Sequence, residues 1–139
     1  MPTPQMPNPP VNAASTVSKP VAFASESAYQ QAVDNVIAQL EDQLERAFQS
    51  DAPFDYEVQS GILTIDCGAG DHASGAQGGK IIINRQTPLL EIWVAARSGG
   101  FHFKKADDGW RDTRSQELLE ELLARVLAQQ SGCELDLSL

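Results

Sequence analysis

The chain has 139 residues, 42% of them apolar and 21% charged, with a formal net charge of −9. That length suits one domain with a proper core and is too short for two ordinary ones. The negative field repels nucleic acid and anionic lipid and favours cations or basic protein surfaces.

Residues 1–24, crowded with Pro, Ser, Thr, Asn and Ala and without a periodic apolar pattern, read as a disordered arm that adds nothing to the core. The arm has the pattern of neither a secretory nor an import signal, and no segment approaches the roughly 20 apolar residues that span a bilayer. The expected location is the cytoplasm. Cys67 and Cys133, the only cysteines, lack a CxxC spacing and read as free thiols in a reducing compartment.

Tyr29, Val33, Val36, Ile37, Leu40, Leu44, Ala47 and Phe48 recur at spacings of three and four, which predicts an amphipathic helix from about Glu26 to Phe48. Ser27 and Gln30 are placed for a capping box, and Pro53 disfavours helix at Ala52. Opposite the apolar stripe, Asp34, Glu41 and Glu45 share a strip with Asp42 beside it, and Asp51, Asp55 and Glu57 carry the negative surface onward. Residues 26–66 hold nine acids against one base, Arg46, and so nearly all of the net charge. Carboxylate oxygens are hard ligands suited to iron, manganese, calcium or magnesium, and on an exposed helix without an organised loop they bind weakly and in a salt-sensitive way. The alternative is that these acids only solvate a helix face.

Phe54–Gln59 and Ile62–Asp66 read as strands around a Ser60-Gly61 turn. The Gly-rich stretch 68–79 follows and reads as a mobile loop without a phosphate-loop pattern; His72 beside Asp71 there is a candidate metal ligand, with a merely solvated histidine as the alternative. Lys80–Gln86 and Leu89–Ala96 are the next strands. Alternation turns Ile81, Ile83, Leu90, Ile92, Val94 and Ala96 inward, and Ile82, Asn84, Gln86, Glu91, Trp93 and Arg97 outward. A large indole beside amide side chains on an open sheet face has the composition of a protein-binding patch; a loop covering Trp93 is the alternative. Gly99-Gly100 turns the chain into Phe101–Lys104, where His102 reads as an exposed or interface residue, and Asp108-Gly109 turns it into an edge strand at Trp110–Asp112.

Leu118, Leu119, Leu122, Leu123, Val126 and Leu127 write a second helix, with Ser115 as its expected cap and Gly132 as its stop. The tail with Leu135 and Leu137 is expected to fold back over the core. The order of elements predicts an α+β two-layer sandwich, with two helices on one face of an antiparallel sheet of about five or six strands and the other face open. No serine lies in a GxSxG turn and the two histidines sit on separate segments, so nucleophilic catalysis is not expected. A carboxylate ferroxidase would need Glu-x-x-His pairs on facing helices, which are missing.

Several stretches resemble the frataxin family in its bacterial, CyaY-type form: Lys80 to Pro88, Ile92-Trp93, and Gly99-Gly100-Phe101-His102-Phe103, which are similar to the central strands. Gly61 to Ile65, Trp110 with Asp112, Arg114-Ser115 and Glu117 to Leu123 extend the likeness over about residues 25–132. The resemblance implies a frataxin-like domain over residues 25–139 and a non-catalytic role in iron–sulfur cluster assembly. It further implies weak, reversible binding of Fe2+ or Fe3+ on an acidic ridge of Glu41, Asp42, Glu45, Asp51, Asp55 and Glu57, which the helical projection extends to Asp34. Docking on the cysteine desulfurase and its scaffold protein through Asn84, Gln86 and Trp93 is implied as well, by a monomer whose iron-dependent oligomers are left open. Arg46 interrupts the ridge, the 68–79 loop is longer than the family's short turn, and the Pro-rich arm is extra. A ferroxidase or iron-storage protein, and an acidic adaptor that never meets iron, stay open as alternatives.

Overall fold

The computed structural model describes residues 18–139. Helix α1 (Glu26–Gln49) leads into β1 (Asp55–Gln59), β2 (Ile62–Asp66), β3 (Lys80–Gln86), β4 (Glu91–Ala96), β5 (Gly99–Ala106) and β6 (Gly109–Asp112), and α2 (Leu119–Ser131) closes the sequence of elements. Each strand pairs antiparallel with the next, so the six lie in chain order in one sheet. Hairpin connections, four of them tight and one the longer 67–79 loop, permit this order; helical crossovers would have forced parallel neighbours. The expected α+β sandwich of two helices on one sheet is the fold found.

One core holds it together. Tyr29, Val33, Leu40 and Leu44 of α1 and Leu119, Leu122, Leu123 and Val126 of α2 meet Leu63, Ile65, Ile81, Ile83, Ile92, Val94 and Phe103, all essentially inaccessible to water. The strand residues share one pleat face because side chains alternate, so both helices cover the same side of the sheet. Each such Leu or Ile contributes about 2 kcal/mol by leaving water. The tail folds back as expected, with Leu137 buried and the Gln43 side-chain amide bonding both the N–H and the carbonyl of Ser138. No helix among the described residues is long and apolar enough to cross a membrane.

Several local expectations give way. The N-cap of α1 is Ser25, whose hydroxyl accepts from Ala28 N–H; Gln30, instead of closing a box with Ser27, reaches Thr87 and Arg85. Ser115 does not cap α2: it joins the turn organised by the Asp112 carboxylate, and α2 begins at Leu119. Leu90 is exposed rather than inward, because Thr87–Leu89 form a single 3-10 turn with Pro88 near its start and Leu90 closes it in the left-handed region at φ 56°. The Gly132 stop is found, at φ 75°.

The 68–79 loop, expected to be mobile, is closed by a Gly79 N–H bond to the Gly68 carbonyl and is tied to α2 at its C-terminal end. Gln77 and Gly78 donate backbone bonds to the carbonyls of Gln129 and Gln130, and the buried Gln130 side chain donates to Gly78 and accepts from Arg97 N–H. The expected arm divides at its C-terminal end. Val21 N–H bonds Lys105 carbonyl, Ser18 bonds the Asp108 carboxylate, and Phe23 packs edge-on against Tyr29 and alongside Trp110, so this part does reach the core. The disorder expected for residues 1–17 lies outside the described residues.

Candidate functional site

The open face of the sheet carries two ladders of side chains that cross the strands. Asn84, Trp93 and His102 are successive cross-strand partners on β3, β4 and β5; one step along, Gln86, Glu91 and Lys104 form the second row. Asn84 is exposed and Trp93 is partly buried, so the indole is neither covered by a loop nor freely solvated. Its ring stacks on the His102 imidazole at 4.3 Å between centroids and 9° between planes, and its Nε1–H donates to Glu91 Oε1 at 2.7 Å. Glu91 is only 5% exposed although it faces outward. Lys104 Nζ lies 3.7 Å from its other oxygen, and His102 Nδ1 lies 3.9 Å from Oε1. Its backbone is fixed from the opposite side of the sheet, where the buried Tyr29 hydroxyl donates to the Glu91 carbonyl at 2.6 Å.

The acidic residues are arranged differently. Glu41 and Asp42 are exposed on α1, and Asp42 pairs with Arg46 one turn on at 3.2 Å. Glu45 is held by the Tyr56 hydroxyl of β1 and by Gln49 Nε2 at 2.7 Å. Those donors, Tyr56 first, hold the Glu45 carboxyl below its ordinary pKa, and the same bond pushes the Tyr56 hydroxyl up to about 12. Asp51 follows α1 in the left-handed region at φ 64°. Asp55 and Glu57 point from β1 to the open face, around the sheet edge from the helix acids, beside a shallow cleft that they share with Asp66 and Lys80. Asp34 stands apart from the rest, bound by Arg85 of β3 at 2.8 Å. Among the described residues no group of three or more His, Cys, Asp or Glu converges to hold a metal ion. Hard oxygen donors are present, but among the described residues they do not converge into a cage.

Asp71 and His72 line a surface cleft of about 330 Å³ with Gln77 and Arg97. Cys67 is buried, which pushes its thiol up to about 11, and Cys133 is raised by burial too; both are free. Sequence reasoning did not assign Glu91 a role, although its place two residues before Trp93 puts both side chains on one face. It also missed the Arg85–Asp34 pair, which joins residues 51 apart in the chain.

A two-helix sandwich with an acidic helix edge and an aromatic, unroofed sheet face defines an α+β protein of the frataxin fold. The chain belongs to the frataxin family: the model of the frataxin-like domain matches residues 22–133. A protein of Ralstonia pickettii named iron–sulfur cluster assembly protein CyaY is 39% identical over 116 residues, which cover 82% of this chain and 95% of the relative. The protein of that name from Ralstonia nicotianae is 40% identical, with 83% and 94% covered. Among solved structures, a frataxin from Psychromonas ingrahamii superposes with a TM-score of 0.67 at 27% identity over 83% of this chain and 99% of that one. Trimeric frataxin from the yeast Saccharomyces cerevisiae, at 20% identity and a TM-score of 0.58 over 96% and 100%, shares the fold. The relatives' names describe an assembly protein and no catalytic activity.

Proposed function

We propose that this protein serves iron–sulfur cluster assembly in the cytoplasm, as a weak iron binder that docks on the cysteine desulfurase and its scaffold protein and regulates them. The observation that carries the reading is the pairing of Asn84 with Trp93 across β3 and β4 on an open face, with Gln86 in the adjacent row. An aromatic anchor among amides suits the desolvated centre of an interface. The acids of α1 and β1 supply the complementary element, a negative field that draws in a basic partner surface. Iron is cargo in this scheme: Glu41, Asp42, Glu45, Asp51, Asp55 and Glu57 hold it through exposed carboxylates, reversibly and without a dedicated cage.

A ferroxidase on the same carboxylates is the second reading. It lacks the Glu-x-x-His pairs of a buried di-iron site, and stoichiometric rather than catalytic oxygen consumption with Fe(II) would count against it. The docking reading is tested by recovering the desulfurase and scaffold from native cytosol with wild-type protein and with Trp93→Ala. Recovery by the wild type and loss in the variant is the expected result; equal recovery by both removes Trp93 from the interface. Fe(II) titration that moves no amide resonance between Asp34 and Glu57 would instead favour an adaptor that never meets iron.

A further inference from the structure

We propose that Glu91 is a positioning residue that locks Trp93 and His102 into one rigid two-ring docking element. The proposal rests on the docking reading of this face and adds the device that prepares it.

A carboxylate on the outer face of a sheet would ordinarily extend into water. Glu91 is buried instead, which is costly for an ion unless partners compensate. Its partners are all groups of the docking face. One oxygen accepts the Trp93 indole N–H in a charge-assisted bond at 2.7 Å, and the other faces the Lys104 ammonium. Glu91 and Trp93 are two residues apart on one strand, so their side chains leave the sheet in the same direction and the bond fixes the indole's rotation. With its edge anchored along β4, the indole presents a face on which His102, directly opposite on β5, stacks in parallel.

Two consequences follow. The pair enters a complex with little rotamer freedom left to lose, so less binding energy is spent on ordering it. The indole N–H is already satisfied, so Trp93 offers a partner an apolar ring surface and no hydrogen-bond donor. The complementary site on the partner is therefore an apolar or cationic group that packs on rings, not a carbonyl waiting for a proton.

The test is a double-mutant cycle on the full chain, with affinity for the desulfurase–scaffold complex and exchange of the Trp93 indole N–H as readouts; the core residue Trp110 serves as internal reference. Glu91→Ala should speed exchange at Trp93 by about tenfold or more without moving Trp110, and weaken binding by about tenfold, or about 1.4 kcal/mol. Glu91→Gln, whose amide oxygen still accepts, should keep the protected N–H and bind within about threefold of wild type. In a Trp93→Phe background, which lacks the donor, Glu91→Ala should cost less than about twofold. A Trp93 N–H that stays protected in Glu91→Ala overturns the proposal, as does the same affinity loss with and without the indole. Should Glu91→Ala disturb the fold, which a shifted Trp110 signal reports, Trp93→Phe and Glu91→Gln decide: full affinity in the former overturns the lock. If the wild type fails to bind the complex, the docking reading falls, and the lock stands or falls on indole exchange alone.

Discussion

The acidic edge and the Trp93 face differ in how firmly the fold holds them. On the edge, Glu41 and Asp42 are exposed, Asp42 answers only to Arg46, and Glu57 lies around a sheet edge from the helix acids. On the face, Trp93 is stacked, hydrogen-bonded and backed by a buried carboxylate. Loosely held charges act at a distance, are screened by salt and tolerate rearrangement. A locked aromatic acts only on contact, and its orientation decides what fits. In the proposed docking, charge number and side-chain geometry would do separate work: the edge would govern encounter and the face recognition.

The largest expected effect of breaking this division comes from Trp93→Ala, which should weaken binding to the desulfurase–scaffold complex by about 2–4 kcal/mol, mainly by faster dissociation. Titration calorimetry and dissociation rates check it, and an unchanged dissociation rate would count against an anchor. Reversing the charges of Glu41, Asp42 and Glu45 to Lys should slow association by about tenfold or more at low salt while leaving dissociation nearly as it was. Stopped-flow association rates measure this.

A smaller effect sharpens the picture of the edge itself. The Tyr56 hydroxyl and Gln49 hold the Glu45 carboxyl below its ordinary pKa. The bond therefore contributes stability that is present above the ordinary carboxylate pKa of about 4.3 and is lost as pH falls through the lowered value. Thermal unfolding of wild type and Tyr56→Phe, which keeps the ring and removes only the hydroxyl, should differ near neutrality and converge in acid; a difference that persists at low pH would mean that the hydroxyl's contribution does not depend on the Glu45 charge. The smallest effect belongs to Arg46→Ala. Removing an exposed i,i+4 partner should change stability by less than about 0.5 kcal/mol while raising the affinity of the edge for divalent cations. Metal titration of the two proteins would show it.

Periodicity carried most of the architecture. The three-and-four spacing of Tyr29 to Leu44 and the alternation through Ile81–Ile83 and Ile92–Val94 report burial directly, and the structure buries those residues. Alternation also turned Trp93 outward correctly. What it could not carry was set by partners distant in sequence. Asp34 looks like a ridge acid on a helical projection, and the structure pairs it with Arg85 of β3, 51 residues on. The 68–79 loop has the composition of a mobile segment, yet Gln130, some fifty residues on, bonds to it. Leu90 fits an inward strand pattern until Pro88 bends the chain into a 3-10 turn. Glu91 was legible as an outward residue and not as a buried one, because its burial depends on Trp93, His102 and Lys104 closing over it.

The most direct test of the division of labour is the affinity of the desulfurase–scaffold complex for wild type, the Glu41/Asp42/Glu45 charge-reversal variant and Trp93→Ala, measured as ionic strength is raised. The charge-reversal deficit should shrink toward zero as salt screens the edge, while the Trp93→Ala deficit should persist unchanged. Two deficits that fade together, or a Trp93→Ala protein that binds like wild type at every salt concentration, would contradict the account.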